Sequence, residues 1–158
     1  MVSQLSPGGQ RYCLVSSSGG HLLQLHAMRS IWADHDRSWV TFDKEDARSL
    51  LSGERAHWAA FPTNRNLPNL LRNFALAWRV LRSERPDVVI STGAGVAIPF
   101  FVLGRLFKAV LVYVEVYDRI DSPTLSGRIC HRFAHLFALQ WDEQRRFYRR
   151  GVVVGPVL

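Results

Sequence analysis

Two short stretches carry serine and glycine in a pattern that suits an anion. One is Ser16, Ser17, Ser18, Gly19, Gly20 and His21, and the other is Ser91, Thr92, Gly93, Ala94 and Gly95. Glycines let a main chain turn sharply and approach a ligand closely, and free N–H groups at a helix start attract phosphate, helped by the helix dipole. Ser17, Ser18, Gly19, Gly20, Thr92, Gly93, Ala94 and Gly95 are therefore candidate phosphate-binding residues. The competing reading of either turn is a tight connection that simply needs small residues. His21 closes the first turn, where an imidazole accepts a proton from a sugar hydroxyl or hydrogen-bonds a phosphate. Its alternative is a helix-start histidine bonded to backbone. Glu115 stands between Val114 and Val116 in an apolar run, and a buried carboxylate needs a partner or a raised pKa. It is either a ligand-facing acid or the partner of a base such as Arg119, whereas Asp118 and Asp121 read as a solvated loop.

Positioning these groups requires elements, and hydrophobic periodicity supplies them. Strands are expected at 12–15, 39–42, 58–61, 88–90, 110–116, 136–140 and 152–154. Helices are expected at 21–32, from Asp43 through Leu51, at 69–83, around Phe100 to Phe107, at 126–134 and at 142–149. The run Val88, Val89, Ile90 is apolar on both faces, as in the middle of a parallel sheet. Alternating strands and crossover helices predict an α/β fold: a Rossmann-like parallel sheet with helices on both faces. Both glycine turns then follow strands, at the carboxyl rim where open α/β sheets bind ligands. Asp43 ends the second strand about twenty residues after the first glycines, as a ribose-binding acid does, so a small dinucleotide-binding oxidoreductase is an alternative. Neither turn spells G-x-G-x-x-G.

Composition bounds the rest. The chain has 158 residues, 47% apolar and 21% charged, with 20 Lys plus Arg against 13 Asp plus Glu and a net charge of +7. That excludes a large multidomain enzyme, a disordered acidic tail and a low-complexity linker. Residues 1–10 are polar, contain Pro7, Gly8 and Gly9, lack a secretory signal and are expected to be flexible, leaving 11–158 as one cytoplasmic domain. The longest apolar stretch, 96–107, is broken by Pro99, Gly104 and Arg105, short of the roughly 18 to 20 residues of a spanning helix. Cys13 and Cys130 lie in apolar runs away from metal-ligand spacing, so they read as buried thiols, and no metal or other cofactor is expected.

The basic excess has its own pattern. Arg65, Arg72 and Arg79 recur every seven residues beside Leu71 and Trp78, and Phe100, Phe101 and Phe107 lie near Arg105 and Lys108. Such surfaces rest on anionic lipid with arginines at the headgroups, making Arg72, Arg79, Phe100 and Arg105 candidate membrane contacts. A core helix with a basic outer face is the competing explanation. No nucleic-acid module accompanies the charge, so no nucleic-acid partner is expected.

The motifs VSSSGGH at 15–21, STGAGVAIP at 91–99, EVYDRI at 115–120, PTLSG at 123–127 and QW at 140–141 resemble one family. They are similar to bacterial capsule and exopolysaccharide proteins of the PssD/CpsF type, and to the eukaryotic asparagine-linked glycosylation subunit fourteen, the acceptor-side half of a split N-acetylglucosaminyltransferase. More distantly, the two turns and Glu115 resemble the amino-terminal half of the enzyme that glycosylates lipid I. The resemblance implies one half of a GT-B fold that binds a polyprenyl-diphosphate-linked sugar acceptor at the inner leaflet. It further implies a separate donor-binding subunit of the PssE/CpsG type, without which this chain transfers no sugar; the sequence ends about where a full-length relative's interdomain linker begins. His21 matches the histidine closing the family's first glycine turn, and Glu115 matches its third acceptor-side motif, which suggests a general base or a ligand of the acceptor hydroxyl. The eukaryotic subunit carries an amino-terminal membrane anchor that residues 1–10 here do not match, so the implied attachment to the inner face of the cell membrane is peripheral. A purely structural recruiter of the catalytic partner is the remaining alternative.

Overall fold

The computed structural model describes residues 9–157, so the expected flexible segment lies outside the described residues up to position 8. Seven strands form one parallel sheet: β1 (Arg11–Val15), β2 (Asp36–Phe42), β3 (Ala56–Ala59), β4 (Val88–Ser91), β5 (Val110–Val114), β6 (Leu136–Leu139) and β7 (Val152–Val153). Their spatial order is β3-β2-β1-β4-β5-β6-β7. Strand order reverses between β1 and β4, which pair in parallel with Val15 opposite Ser91. The two glycine turns thus leave adjacent strands at the switch point of a Rossmann-like sheet.

Alternation along the strands explains the two layers. Cys13, Val15, Val89, Leu111, Tyr113, Phe137 and Leu139 face one core, while Leu14, Trp39, Ile90, Val114 and Ala138 face the other. The first core is covered by α4 (Leu67–Glu84), α5 (Ala97–Gly104) and α6 (Leu125–Phe133); the second by α1 (Gly20–Ala27), α2 (Arg29–Trp32) and α3 (Glu45–Leu50). All four residues of β4 are buried, as its uniformly apolar run predicts. Both cysteines are buried and free, and burial pushes the Cys13 thiol up to about 12.

Three expectations shift. The helix predicted at 21–32 breaks at Met28 into α1 and α2, which lets Trp32 turn inward, donate its indole N–H to the Leu25 carbonyl (3.0 Å) and meet Trp39 edge-on. α4 begins at Leu67 rather than 69, because Asn66 caps the Asn69 N–H (3.0 Å) and Pro68 sits in the first turn, where no N–H is needed. The last predicted helix is a short 3-10 segment, Asp142–Arg146.

The Phe-rich segment is a correction. Phe100 and Phe101 are both 0% exposed, since α5 is packed between α4 and α6 and against β4 and β5. A helix apolar on every side is a core helix, so Phe100 is no membrane contact. The exposed apolar groups nearby are Leu106, at 70%, and a stripe on α4 made of Leu67, Leu71 and Trp78. Arg72 and Arg79 are exposed beside that stripe. Arg65 lies outside α4 and does not belong to it. Arg105 is exposed but engaged, donating to the Phe133 carbonyl (2.9 Å) and meeting His135 Nε2 (3.1 Å). No described helix is long and apolar enough to cross a membrane.

Candidate functional site

At the switch point the two glycine turns are bolted together. The His21 Nδ1–H donates to the Thr92 carbonyl (2.8 Å), and the Thr92 hydroxyl donates to the His21 carbonyl (2.6 Å). A carbonyl only accepts, so the first bond fixes the proton on Nδ1 and leaves a lone pair on Nε2. Burial holds the imidazole below the ordinary histidine range. The Thr92 carbonyl and the charge of Asp118 oppose that shift, and the charge of Arg119 adds to it. A neutral histidine with a free Nε2 is the form a general base requires.

The turns themselves depend on glycine. Gly93 adopts φ +117°, and a Cβ there would come within 2.8 Å of the Tyr113 hydroxyl. At Gly95 a Cβ would meet Thr63 at 2.9 Å, so the absence of a side chain is what lets the 60–65 loop settle onto the second turn. At the start of α1 the N–H groups of Gly20, His21 and Leu22 have no partner among the described residues. The Gly19 N–H is already taken by the Asp46 carboxylate (2.8 Å), and the Gly93 N–H by the Ser91 hydroxyl (3.0 Å).

Above the turns lies a cleft of about 830 Å³, within the usual range for ligand sites. Ser17, Ser18, His21, Ala94 and Gly95 are on its wall; Gly19 and Gly20 sit beside it at the helix start, while Thr92 and Gly93 are buried beneath and serve the turn. Facing them are residues whose role the sequence did not reveal: Lys44, Thr63, Asn64, Arg65 and Arg119, with Thr124 and Ser126. Among the described residues no carboxylate lines the cleft, whereas three cations do. Lys44 also rests over the Phe61 ring, 5.2 Å from its centroid. Phe42, Phe61, Pro62 and Ile98, with Pro123 and Leu125, make the apolar part of the wall. Arg65 was visible as a basic residue, but the seven-residue spacing assigned it to the helix stripe.

Two loops bring Arg65 and Arg119 in, and buried amides hold both. Asn73, in α4, pairs with Ala60 as a strand would: its Oδ1 accepts from the Ala60 N–H (2.8 Å) and its Nδ2 donates to the Ala60 carbonyl (3.0 Å). Asn69 Nδ2 donates to the Pro62 carbonyl (2.9 Å). On the other side Gln140 and Gln144 bond the main chain after β5. An Asn two or three residues after a helix cap, followed by another at i+4, was a signal for the first pair. For the second there was only the QW motif.

Glu115 is not on the cleft wall. It is 0% exposed, with Oε1 accepting from the Val116 N–H (3.0 Å), Oε2 facing the Thr124 hydroxyl (3.5 Å), and the Tyr148 hydroxyl beside it. Thr124 in turn caps α6 through the Gly127 N–H (2.9 Å). Burial raises the Glu115 pKa; Tyr148, the Val116 N–H, Thr124 and, last, Arg119 oppose that. The Asp43 carboxylate, the ribose-binding candidate, is held by Arg48 (2.8 Å at the second oxygen) and does not line the cleft.

Comparison with known proteins agrees with this architecture. A family model described as "Oligosaccharide biosynthesis protein Alg14 like" matches residues 55–157. The human UDP-N-acetylglucosamine transferase subunit ALG14 is 27% identical over 94 residues, covering 56% of this chain and 44% of that protein. From Geobacillus kaustophilus, the UDP-N-acetylglucosamine--N-acetylmuramyl-(pentapeptide) pyrophosphoryl-undecaprenol N-acetylglucosamine transferase is 30% identical over 92 residues, covering 57% of this chain and 25% of that one. This chain spans less than half the length of these curated relatives. Among solved structures, Acinetobacter baumannii MurG superposes with a TM-score of 0.67 at 15% identity, over 84% of this chain and 42% of that one. The fold is thus a Rossmann-like half of a GT-B arrangement, and the chain belongs to the Alg14-like family of oligosaccharide biosynthesis proteins.

Proposed function

We propose that this chain is the acceptor-binding subunit of a two-part glycosyltransferase, which moves a sugar from a nucleotide sugar to a polyprenyl-diphosphate-linked acceptor. One observation carries the reading: two glycine turns from adjacent strands, pinned together by His21 and Thr92, open under one cleft lined by Lys44, Arg65 and Arg119 and, among the described residues, by no acid. A diphosphate is the ligand such a wall favours, with backbone N–H groups of α1 on one side and cations on the other. The apolar wall of Phe42, Phe61 and Ile98 suits the start of a lipid chain.

In this account His21 Nε2 takes the proton of the acceptor hydroxyl as it attacks the anomeric carbon of the donor sugar. The donor's diphosphate leaves toward a partner subunit of the PssE/CpsG type. Ser17, Ser18, Gly20, Ala94 and Gly95 hold the acceptor's diphosphate. Glu115, behind Thr124, is a positioning residue that fixes the start of α6. The setting is surface polysaccharide assembly, capsule or exopolysaccharide, at the inner face of the cell membrane. Contact with anionic lipid runs through the Leu67, Leu71, Trp78 stripe and its neighbours Arg72 and Arg79.

Reconstitution tests this. The chain alone should show no transfer to a lipid-linked acceptor, and co-expression with its donor-binding partner should restore it; full turnover by the single chain overturns the split-enzyme reading. If the reconstituted pair runs at an unchanged rate with His21→Ala, the chain only recruits its partner. Saturable micromolar binding of NAD or NADP would instead favour the oxidoreductase alternative, which the engagement of Asp43 by Arg48 counts against. Flotation with anionic liposomes should weaken in an Arg72→Glu, Arg79→Glu variant, and indifference removes α4 from the membrane face.

A further inference from the structure

The main chain that follows β5 leaves the sheet after one last bond, from the Glu115 N–H to the Ala138 carbonyl (2.9 Å). Its carbonyls are then taken up by side chains of one short segment. Gln140 Nε2 donates to the Glu115 carbonyl (2.8 Å), and Gln144 Nε2 to those of Val116 (3.0 Å) and Arg119 (3.2 Å). The Trp141 indole N–H donates to the Tyr117 carbonyl (2.7 Å). Both glutamines are also held at the other end. Gln144 Oε1 accepts from the N–H groups of Gln140 (2.9 Å) and Trp141 (3.3 Å), and Gln140 Oε1 from that of Val157 (3.1 Å).

These amides are at most 1% exposed, and neither can turn without stranding buried polar groups, which is costly. A surface loop rarely has so many of its carbonyls bonded by side chains of one segment, since most loop carbonyls meet water. What the segment delivers is Arg119. It is exposed on the cleft wall opposite His21 and influences His21 and Glu115 through its charge. Among the described residues its guanidinium forms no ion pair with a carboxylate.

We propose that Gln140 and Gln144 are positioning residues that hold the Arg119 guanidinium at the cleft as a clamp on a diphosphate anion. The proposal rests on the reading of the cleft as a diphosphate site and adds a residue to it. Arg119 offers a planar fork of donors that matches two phosphate oxygens at once. The fork has value only if the loop that carries it is fixed before the ligand arrives.

The test uses the full chain with inorganic pyrophosphate as probe, titrated by calorimetry. Arg119→Ala and Gln144→Leu should each weaken binding about tenfold, as expected for loss of a bond to a charged group. The double variant should be no weaker than Arg119→Ala alone, because Gln144 acts through Arg119. A merely structural glutamine would lower thermal stability and leave the affinity of the folded protein unchanged, which overturns the proposal. So does a double variant whose losses multiply. Gln140→Leu, which frees one carbonyl of the same segment, goes through the same titration in case Gln144→Leu does not fold, with a smaller loss expected; no loss there counts against the proposal. If the wild-type chain itself does not bind pyrophosphate, the cleft reading fails and this proposal with it. If the wild type binds and Arg119→Ala binds equally well, only the proposal fails.

Discussion

Around a single cleft, the turns after β1 and β4 hold their shape through backbone conformation, whereas the loops at 60–65 and 115–121 hold theirs through buried side-chain amides. The first device needs residues without a Cβ: Gly93 at φ +117° and Gly95 against Thr63. The second needs Asn73, Asn69, Gln140 and Gln144, each satisfying backbone groups that the sheet does not reach. Glycine turns present N–H groups close to a ligand but carry no charge of their own. The amide-held loops carry Arg65 and Arg119. A site that needs both a close backbone and long cationic side chains cannot be built from one kind of loop alone.

The contrast breaks most visibly at His21, which belongs to the turns and faces the loops. In the reconstituted enzyme His21→Ala is expected to lower kcat by about 10²–10⁴-fold, the range for loss of a general base. The wild-type profile should fall on the acid side through a pKa below 6.5, because burial lowers the imidazole and only its neutral form accepts a proton. An acid limb above 6.5 would assign the base elsewhere. The next effect is on stability: Asn73→Leu strands the Ala60 N–H and carbonyl and should cost about 2–4 kcal/mol in chemical denaturation. Asn73→Asp keeps the acceptor but not the donor, so it separates the two bonds. Smaller again, Gly93→Ala should cost about 1–3 kcal/mol from the left-handed φ, with the Tyr113 hydroxyl adding to it. If Asn73→Leu proved neutral while Gly93→Ala did not, the loops would be held by packing rather than by amides.

The two regions also differ in how far they were legible. Glycine turns announce themselves because their signal is local: small residues directly after an apolar strand, as at Val15 and Ile90. The sheet was legible for the same reason, from alternating and fully apolar runs. The amide bonds span 13 residues from Asn73 to Ala60 and 28 from Gln144 to Val116, and no periodicity encodes such a pairing. Arg65 read as part of the helix stripe until the 60–65 loop placed it on the cleft wall. Phe100 misled in the opposite way: a phenylalanine near an arginine suggests a membrane face, but only the packing of α5 between α4 and α6 reveals that the ring is inside. Glu115 was recognised as unusual, and the structure puts it behind the wall rather than on it.

That carboxyl gives the smallest expected effect and the sharpest test of how the 115–121 loop is held. Burial raises the Glu115 pKa above 4.5, so the folded chain keeps this proton to a higher pH than the unfolded chain does. Between the two values the native state binds more protons, and stability falls as pH rises through that window, then stays lower above it. Glu115→Gln is neutral throughout and retains an oxygen for the Val116 N–H. The difference in unfolding free energy, wild type minus variant, should therefore move against the wild type as pH rises from below 4.5 and then level off, by about 1.4 kcal/mol for each pKa unit of displacement. A difference that moved the other way would mean that Tyr148, the Val116 N–H, Thr124 and Arg119 outweigh burial and stabilise the anion. Glu115 would then be a charged partner of Arg119, and the Arg119 side chain would be shared between the cleft and the acid behind it.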